Sequence, residues 1–286
     1  MTWRVWVAFA ALCVLWGIPY FFIKVAVVEV SPVAVAWTRL TLGAAVLLPI
    51  AWQRGALRGI AAHAGAICAF AITELVFPFV LIAWGERWIS SSLTGILIAT
   101  VPLTVILLAP LFGVRESLSV RRVGGLVVGF AGVLVLLGLD APGDLHWWLG
   151  AACVLIGVVG YASGALIVQR HLRGLDQLGS VAASLAVAAV LLLPAALLSA
   201  PSQLPSLSVT LSLIVLGILC TALAMVLYFF LISQAGAARA AVITYVNPAV
   251  ATLLGITALH EVAGTGLAAG LVLILGGSWL ATQRIS

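Results

Sequence analysis

The sequence contains very little charge. Only 7% of its 286 residues are Asp, Glu, Lys or Arg, whereas 64% are hydrophobic. A water-soluble globule of this size needs more polar surface than this composition supplies. The composition therefore excludes a soluble protein and predicts one that lies in a lipid bilayer.

Long polar segments are also missing. A helix needs about 20 mostly apolar residues to cross the hydrocarbon core, and the chain offers ten such runs, separated by short breaks. An N-terminal secretory signal is disfavoured because the first run is too long and no small-x-small cleavage site comes after it. We expect an all-α membrane protein with ten transmembrane helices and no soluble domain, with spans near 3–28, 32–52, 60–84, 90–113, 121–139, 147–170, 175–199, 208–234, 238–259 and 263–282.

Residues that serve catalysis or metal binding are scarce. The four cysteines all fall inside apolar spans, where cysteine packs as a small hydrophobe. The four histidines fall at or near predicted membrane ends, and Ser163 has no His or Lys at comparable depth to act as a base. No metalloprotease motif or nucleotide-binding loop is present. We therefore expect no catalytic residues, metal, cofactor or disulfide, and we disfavour an intramembrane enzyme.

The basic residues lie mostly on one side of the predicted membrane. A nucleic-acid partner is disfavoured because they are spread over many breaks and form no single patch. With the N-terminus inside, only Arg87 falls outside, and the positive-inside rule predicts that both termini are cytoplasmic. The inner side then receives Arg4, Arg54, Arg58, Arg115, Arg121, Arg122, Arg170, Arg173, Arg239 and Arg284.

The two halves of the chain resemble each other at a shift of 145 residues. This shift places Trp16 on Tyr161 and Pro49 on Pro194. It also aligns two Glu-Gly-Gly patterns, Glu116, Gly125 and Gly132 with Glu261, Gly270 and Gly277. Because each half holds five spans, residues 1–140 and 147–286 are predicted to form two repeats of opposite orientation. Inverted repeats support alternating access to a site near the midplane, for which a channel or a scaffold has no comparable need.

Several short motifs resemble a known family. Leu15-Trp16-Gly17, Ser31-Pro32, Arg39, Pro102 and the Glu116, Gly125 and Gly132 pattern are similar to the EamA domain of the drug/metabolite transporter superfamily, with a second copy from about 147 to 282. The length and the Trp- and Phe-rich spans most resemble bacterial inner-membrane exporters of amino acids, the YddG-type aromatic exporters in particular. The second copy departs from the pattern, with Ser184 in place of Arg39 and Tyr161 in place of Trp16.

Three ionisable residues lie within predicted spans, where they are costly and usually functional. Lys24 either snorkels to the interface or serves coupling or helix locking. Arg39 either binds a carboxylate or carbonyls that lock the helices, or faces the site. Glu74 is a proton-coupling site, a counter-ion for a substrate amine, or the partner of Arg39.

Polar and aromatic residues share helix faces at spacings of three, four and seven. These stripes predict a broad, mostly apolar cavity that suits a zwitterion with an apolar side chain, although any single ring could instead fill a gap between helices. The expected lining residues are Trp16, Tyr20, Phe70, Glu74, Phe77, Tyr161, Tyr228, Tyr245 and Asn247.

Prolines and glycines predict where helices bend and where they pack closely. Pro78, Pro102 and Pro248 remove backbone donors, so they are candidate hinges or static kinks, and the last two are related by the repeat. Glycines spaced four apart in spans five and ten predict close helix packing. Glu116 and Glu261 are expected to cap the helices that come after them in the chain.

These features together predict a transporter that exports aromatic and other neutral amino acids across the bacterial inner membrane. Its partners would be the small-molecule substrate and the lipid bilayer, and it would function as a monomer. The alternative is export of another solute, such as a nucleoside or a drug-like cation.

Overall fold

The computed structural model describes residues 2–114, 119–139, 144–235, 243–262 and 264–282, and the elements in these ranges are all helical. Nine of the described helices are long and apolar enough to cross a membrane, and a tenth, α9, has 16 described residues. The helices are α1 (Trp3–Ala26), α2 (Pro32–Gln53), α3 (Ile60–Gly85), α4 (Ser91–Phe112), α5 (Val120–Leu139), α6 (Leu145–His171), α7 (Gln177–Leu198), α8 (Leu207–Leu231), α9 (Ile243–Ala258) and α10 (Thr265–Thr282).

The predicted all-helical membrane fold is confirmed. Helix ends agree with the predicted spans to within three residues, except at the start of the ninth span, which lies outside the described residues. Proline and serine determine where several helices begin. Ser31 caps α2 by accepting from Ala34 N at 3.2 Å, and Pro32 occupies the first turn, where its missing N–H costs nothing.

Contacts between connections define two opposite faces of the bundle. Face A carries the connections α1–α2, α3–α4, α5–α6, α7–α8 and α9–α10. There, Glu29 Oε2 accepts from Ser206 N at 2.7 Å, a bond that holds the pKa of the exposed Glu29 carboxyl below its usual range. Face B carries the other connections, and at this face Arg170 donates to Phe112 O. The chain therefore alternates between the faces as a multi-pass membrane protein must.

Helices α5 and α10 pack antiparallel through glycines. A Cβ on Gly125 would lie 2.5 Å from Ala281 N, and a Cβ on Gly270 would lie 2.6 Å from Leu136 Cβ. Gly270 and Ala281 lie 145 residues after Gly125 and Leu136, so the same contact occurs twice with the roles exchanged. This is the geometry of a two-fold related interface.

Helices α2 and α7 form a second antiparallel pair of equivalent elements. Trp37 Nε1 donates to Ala189 O at 3.1 Å, and Ser31 Oγ donates to Ser199 Oγ at 3.0 Å near face A. Leu40, Leu47 and Leu185 pack between the two helices and are completely buried. The two halves therefore meet through equivalent helices that run in opposite directions.

Four helices are irregular. α3 contains a π-helical segment, Ala71–Val76, and α8 contains another, Val215–Leu223. α1 changes direction at Ile18, between the segments Trp3–Gly17 and Pro19–Ala26, and α4 is interrupted before Val101. π-helical segments are rare and occur frequently at functional sites, so these irregularities indicate where a site should be sought.

Candidate functional site

Arg39 joins three helices near the middle of the bundle. Its Nε donates to Thr221 Oγ1 of α8 at 2.9 Å, and its guanidinium carbon lies 4.0 Å from the ring centroid of Phe79 in α3. Thr221 Oγ1 donates in turn to Leu216 O at 2.9 Å, inside the π-helical segment of α8. A charge-assisted hydrogen bond and a cation–π contact therefore fix the half-buried arginine.

Glu74 lies in the π-helical segment of α3 and faces α6. It packs on Gly164, where a Cβ would lie 2.7 Å from Glu74 Cβ and would also meet Oε2, so only glycine leaves room for this carboxyl. Glu74 Oε2 is buried and has no hydrogen-bond partner among the residues that the structure describes. Arg39 and Glu74 do not form an ion pair, so the interpretation of Glu74 as the partner of Arg39 is wrong for this conformation.

Aromatic rings surround these two groups. Tyr161 of α6 packs edge-on against Phe79, with 6.5 Å between ring centroids, and Trp16 of α1 lies 4.9 Å from Tyr228 of α8. Tyr161 lies near both Arg39 and Glu74, and Tyr228 lies near Glu74. We refer to the resulting set as the central cluster, which consists of Trp16, Arg39, Glu74, Phe79, Tyr161, Thr221 and Tyr228.

The predicted stripe of Phe70, Glu74 and Phe77 does not form. Phe77 is 54% exposed on the surface of the bundle, and Phe70 is buried in a separate group with Ile60, Ile67 and residues of α6. The stripe assumed 3.6 residues per turn, but the intervening π-helical segment has a larger turn and rotates the residues beyond it about the helix axis. Phe79 therefore contacts Arg39, a role that regular periodicity did not predict.

Three other predicted residues serve contacts between helices. The Tyr245 hydroxyl lies 2.7 Å from Thr282 Oγ1 of α10. The Asn247 amide, with its nitrogen turned toward two carbonyls, donates to Ile243 O at 3.0 Å and to Cys13 O of α1 at 3.2 Å. Tyr20 is buried against Gly95 and Ala251, next to the central cluster.

Lys24, near the end of α1 at face A, is held by backbone carbonyls of a neighbouring connection. Its Nζ donates to Glu86 O at 2.6 Å and to Ile89 O at 2.7 Å, both in the connection between α3 and α4. Lys24 therefore ties α1 to this connection at face A, which agrees with the helix-locking alternative.

The candidate hinge prolines differ from one another. Pro102 comes just after the interruption of α4, where Thr100 N bonds Leu97 O at 3.1 Å across a tightened turn. Pro248 lies inside the continuous helix α9. Pro78 begins the regular segment after the π-helical turn of α3, close to Gly160 of α6. The two prolines related by the repeat therefore lie in different local structures, and their role as hinges stays a prediction.

Glu261 caps a different helix from the one predicted. Its carboxylate accepts from Ser91 N at 2.7 Å, Ser92 N at 3.0 Å and Ser92 Oγ at 2.5 Å, at the start of α4. The neighbour in space, and not the next helix in sequence, supplies the free N–H groups. Glu116, expected to cap α5, lies outside the described residues.

Two cavities open at face A. One of about 350 Å³ is lined by Ser90, Leu93, Trp147 and Leu267 among others, and one of about 160 Å³ lies between Trp37 and Leu197. Neither is lined by a residue of the central cluster, so neither of them gives access to that cluster from face A.

Comparison with known proteins gives the family. The sequence matches the model of the EamA-like transporter family twice, over residues 2–138 and 148–283. The chain belongs to the EamA-like transporter family.

Its relatives are also transporters. The chain is 24% identical to the uncharacterized transporter YoaV of Bacillus subtilis, over 99% of this chain and 98% of that protein. It is 28% identical to the uncharacterized inner membrane transporter YedA of Escherichia coli, over 87% and 80% of the two chains. A solved crystal structure shares the fold, with a TM-score of 0.68 and 22% identity over 99% of this chain and 97% of that one.

The central cluster fits this family in chemical terms. Arg39 and Glu74 offer one cationic and one acidic group, and the surrounding rings offer apolar surface. The described residues of this cluster come from both matched segments, with Trp16, Arg39, Glu74 and Phe79 in the first and Tyr161, Thr221 and Tyr228 in the second.

Proposed function

We propose that this EamA-like transporter exports neutral amino acids, including aromatic ones, by alternating access. The observation that supports this substrate class is that Arg39 and Glu74 lie in one aromatic cluster without forming an ion pair with each other, while Glu74 Oε2 has no hydrogen-bond partner among the described residues. A guanidinium binds a carboxylate, an acidic side chain binds an ammonium group, and aromatic walls bind an apolar side chain. A neutral amino acid presents all three groups at once.

The antiparallel contacts between equivalent helices support the mechanism. Two similar bundles related by an in-plane axis can exchange conformations and so open a midplane site to one face and then the other. The irregular segments of α3 and α8 adjoin the central cluster and can absorb such a change without breaking a regular helix.

The proposed location is the bacterial inner membrane, with both termini cytoplasmic and face A outside. The Arg distribution supports this orientation, because the connections at face A contain Arg87 and few other basic residues. Reporter fusions to each terminus, active only on one side of the membrane, would test it.

Transport in liposomes tests the substrate class. The purified protein would be reconstituted, and uptake of radiolabelled Phe, Met, Thr and Ala would be measured with and without a pH gradient. We expect uptake above empty liposomes, and a smaller pH effect in Glu74→Gln. Glu29→Gln is the matched control, since it removes an exposed carboxylate at face A, outside the central cluster.

The uptake assay distinguishes amino acids from the alternative solutes. If folded protein takes up none of these amino acids, the amino-acid assignment fails. Uptake of a quaternary ammonium compound or a nucleoside in the same liposomes would then favour the alternative solute class. Glu74 beside the Trp16 and Tyr228 rings is the feature that would serve an organic cation.

A further inference from the structure

Glu86 is a buried acidic residue that does not belong to the central cluster. It comes directly after the last residue of α3, and its exposure is 0%. Neither of its carboxyl oxygens has a hydrogen-bond partner among the residues that the structure describes. The sequence places Glu86 in a connection between two predicted spans, where an acidic side chain is usually exposed to water. Its complete burial is therefore unexpected.

The surroundings of Glu86 fasten three elements together at face A. Lys24 of α1 donates to the backbone carbonyls of Glu86 and Ile89, not to the Glu86 carboxyl. Glu261 binds two N–H groups at the end of the same connection, at Ser91 and Ser92. The α3–α4 connection is therefore held from one side by a cation and from the other by an anion.

We propose that Glu86 is a proton-binding site that controls the opening of face A. In the conformation described here, which the proposal takes as closed at face A because Lys24 and Glu261 fasten the α3–α4 connection there, the carboxyl carries a proton. When face A opens, the carboxyl loses that proton to water, and Lys24 leaves the two carbonyls to bind the new carboxylate. The proposal rests on membership of a transporter family with two alternating faces and not on the identity of the solute.

The protonation state is a consequence of burial. A buried carboxylate without any hydrogen bond is strongly disfavoured because it has lost its hydration, whereas the neutral acid avoids this penalty. Burial accordingly raises the pKa of the Glu86 carboxyl well above its usual range, and Lys24 lowers it by a smaller amount. Glu261 raises the pKa further, and Arg39 lowers it slightly.

Charged and titratable groups face Glu86 from several neighbouring elements. The groups that interact with it are Lys24 and Tyr20 from α1, Arg39 from α2 and Glu261 from the α9–α10 connection. On the α6 side, the exposed pair Asp144 and His146 lies beyond the Trp88 ring. The nearest cation, Lys24, now donates to two carbonyls, and all three of its N–H donors become available to the carboxylate once it leaves them.

The sign of the pH dependence is fixed by this arrangement. The pKa of Glu86 is raised in the closed form and is not raised in the open form, where water and Lys24 solvate the carboxylate. The closed form is therefore fully favoured below the pKa of the open form and loses stability as pH rises toward the raised one. Between the pKa of Glu86 in the open form and its pKa in the closed form, opening releases one proton. Over this pH range the ratio of open to closed molecules therefore rises up to about tenfold per pH unit.

A distance measurement between spin labels tests the proposal without any substrate. Cysteines at Val28 and Val262, which are 82% and 92% exposed at face A, would carry the labels in a chain whose native cysteines are replaced. Double electron–electron resonance from pH 5 to pH 9 in nanodiscs reports the separation of α1 from the α9–α10 connection. We expect a longer-distance population that grows with pH in the otherwise native chain and is constant in Glu86→Gln.

Glu29→Gln is the control for this experiment. Its carboxyl has a lowered pKa and remains ionised over most of this range, so the variant should titrate as the native chain does. The proposal fails if Glu86→Gln keeps the native pH dependence, if the native chain shows none, or if the closed population grows with pH. Failure of amino-acid uptake would leave all three of these results unaffected.

Infrared spectroscopy gives a second test that does not need a Glu86 variant to fold. In Glu74→Gln protein, the carbonyl band of a protonated carboxylic acid should be present at neutral pH and should decrease as pH rises. If no such band is found in the folded Glu74→Gln protein, Glu86 is ionised in the closed form and the proposal is overturned.

Discussion

Adjacent glycines in α10 provide a sharp test of the helix packing. Gly277 faces α5, and a Cβ there would lie 2.6 Å from Gly129 Cα, whereas a Cβ on Gly276 would meet nothing within 4 Å. Carbon atoms pack best at about 3.5–4.0 Å, so Gly277→Ala must separate two backbones by about 1 Å. Neither backbone can move aside as a flexible side chain would.

The expected energies have opposite signs for the two positions. Overpacking costs about 1–3 kcal/mol, and replacing glycine by alanine inside a helix returns about 0.5–1 kcal/mol. Gly277→Ala should therefore lose up to about 2.5 kcal/mol of unfolding free energy, after these two contributions are combined. Gly276→Ala should be neutral or gain up to about 1 kcal/mol.

Reversible unfolding in mixed detergent micelles, monitored by circular dichroism, measures both variants. Gly124 and Gly125 of α5 form a second matched pair, since a Cβ on Gly124 meets nothing within 4 Å and one on Gly125 lies 2.5 Å from Ala281 N. Equal stability changes at 276 and 277, and again at 124 and 125, would refute the packing described here.

Three further variants test polar contacts in the same unfolding assay. Thr221→Val removes the acceptor of Arg39 and should lower stability by about 1.5–3 kcal/mol, as for hydrogen bonds to charged groups; a double variant with Arg39→Gln should lose less than the sum. Glu261→Gln removes a negative charge from the start of α4, so the free energy of unfolding should fall by about 0.3–2 kcal/mol. Glu29→Gln should lower the free energy of unfolding by less. Lys24→Met leaves two carbonyls of the α3–α4 connection without their donor and should lose about 1–3 kcal/mol; an unchanged stability would mean that water replaces the ammonium.

Much of the fold could be predicted from the sequence because the bilayer constrains it so strongly. Helix length and polarity located the spans, and glycines marked spans five and ten as places of close helix packing, without indicating that these two helices contact each other. The glycine signal is reliable because apolar burial gives no driving force between helices in lipid, so close approach must come from small residues.

The site was only partly predictable. Trp16, Arg39, Glu74, Tyr161 and Tyr228 do come together. Phe77 was misplaced because regular helical periodicity fails across a π-helical segment, whose presence depends on tertiary contacts.

Polar partners across the bundle were the least predictable feature. Glu261 caps α4, and Glu86 is buried, because these outcomes depend on which connections meet at face A. Periodicity within one helix carries no information on such neighbours.

The paired contacts of α5 with α10 and of α2 with α7 have a consequence for the origin of such a chain. Each contact joins a helix to its own counterpart, so the surfaces involved are self-complementary. A half-length ancestor with five helices could have assembled as an antiparallel dimer through these same surfaces. Gene fusion would then have needed only a short connection, and afterwards each copy was free to diverge, as Arg39 and Ser184 have done.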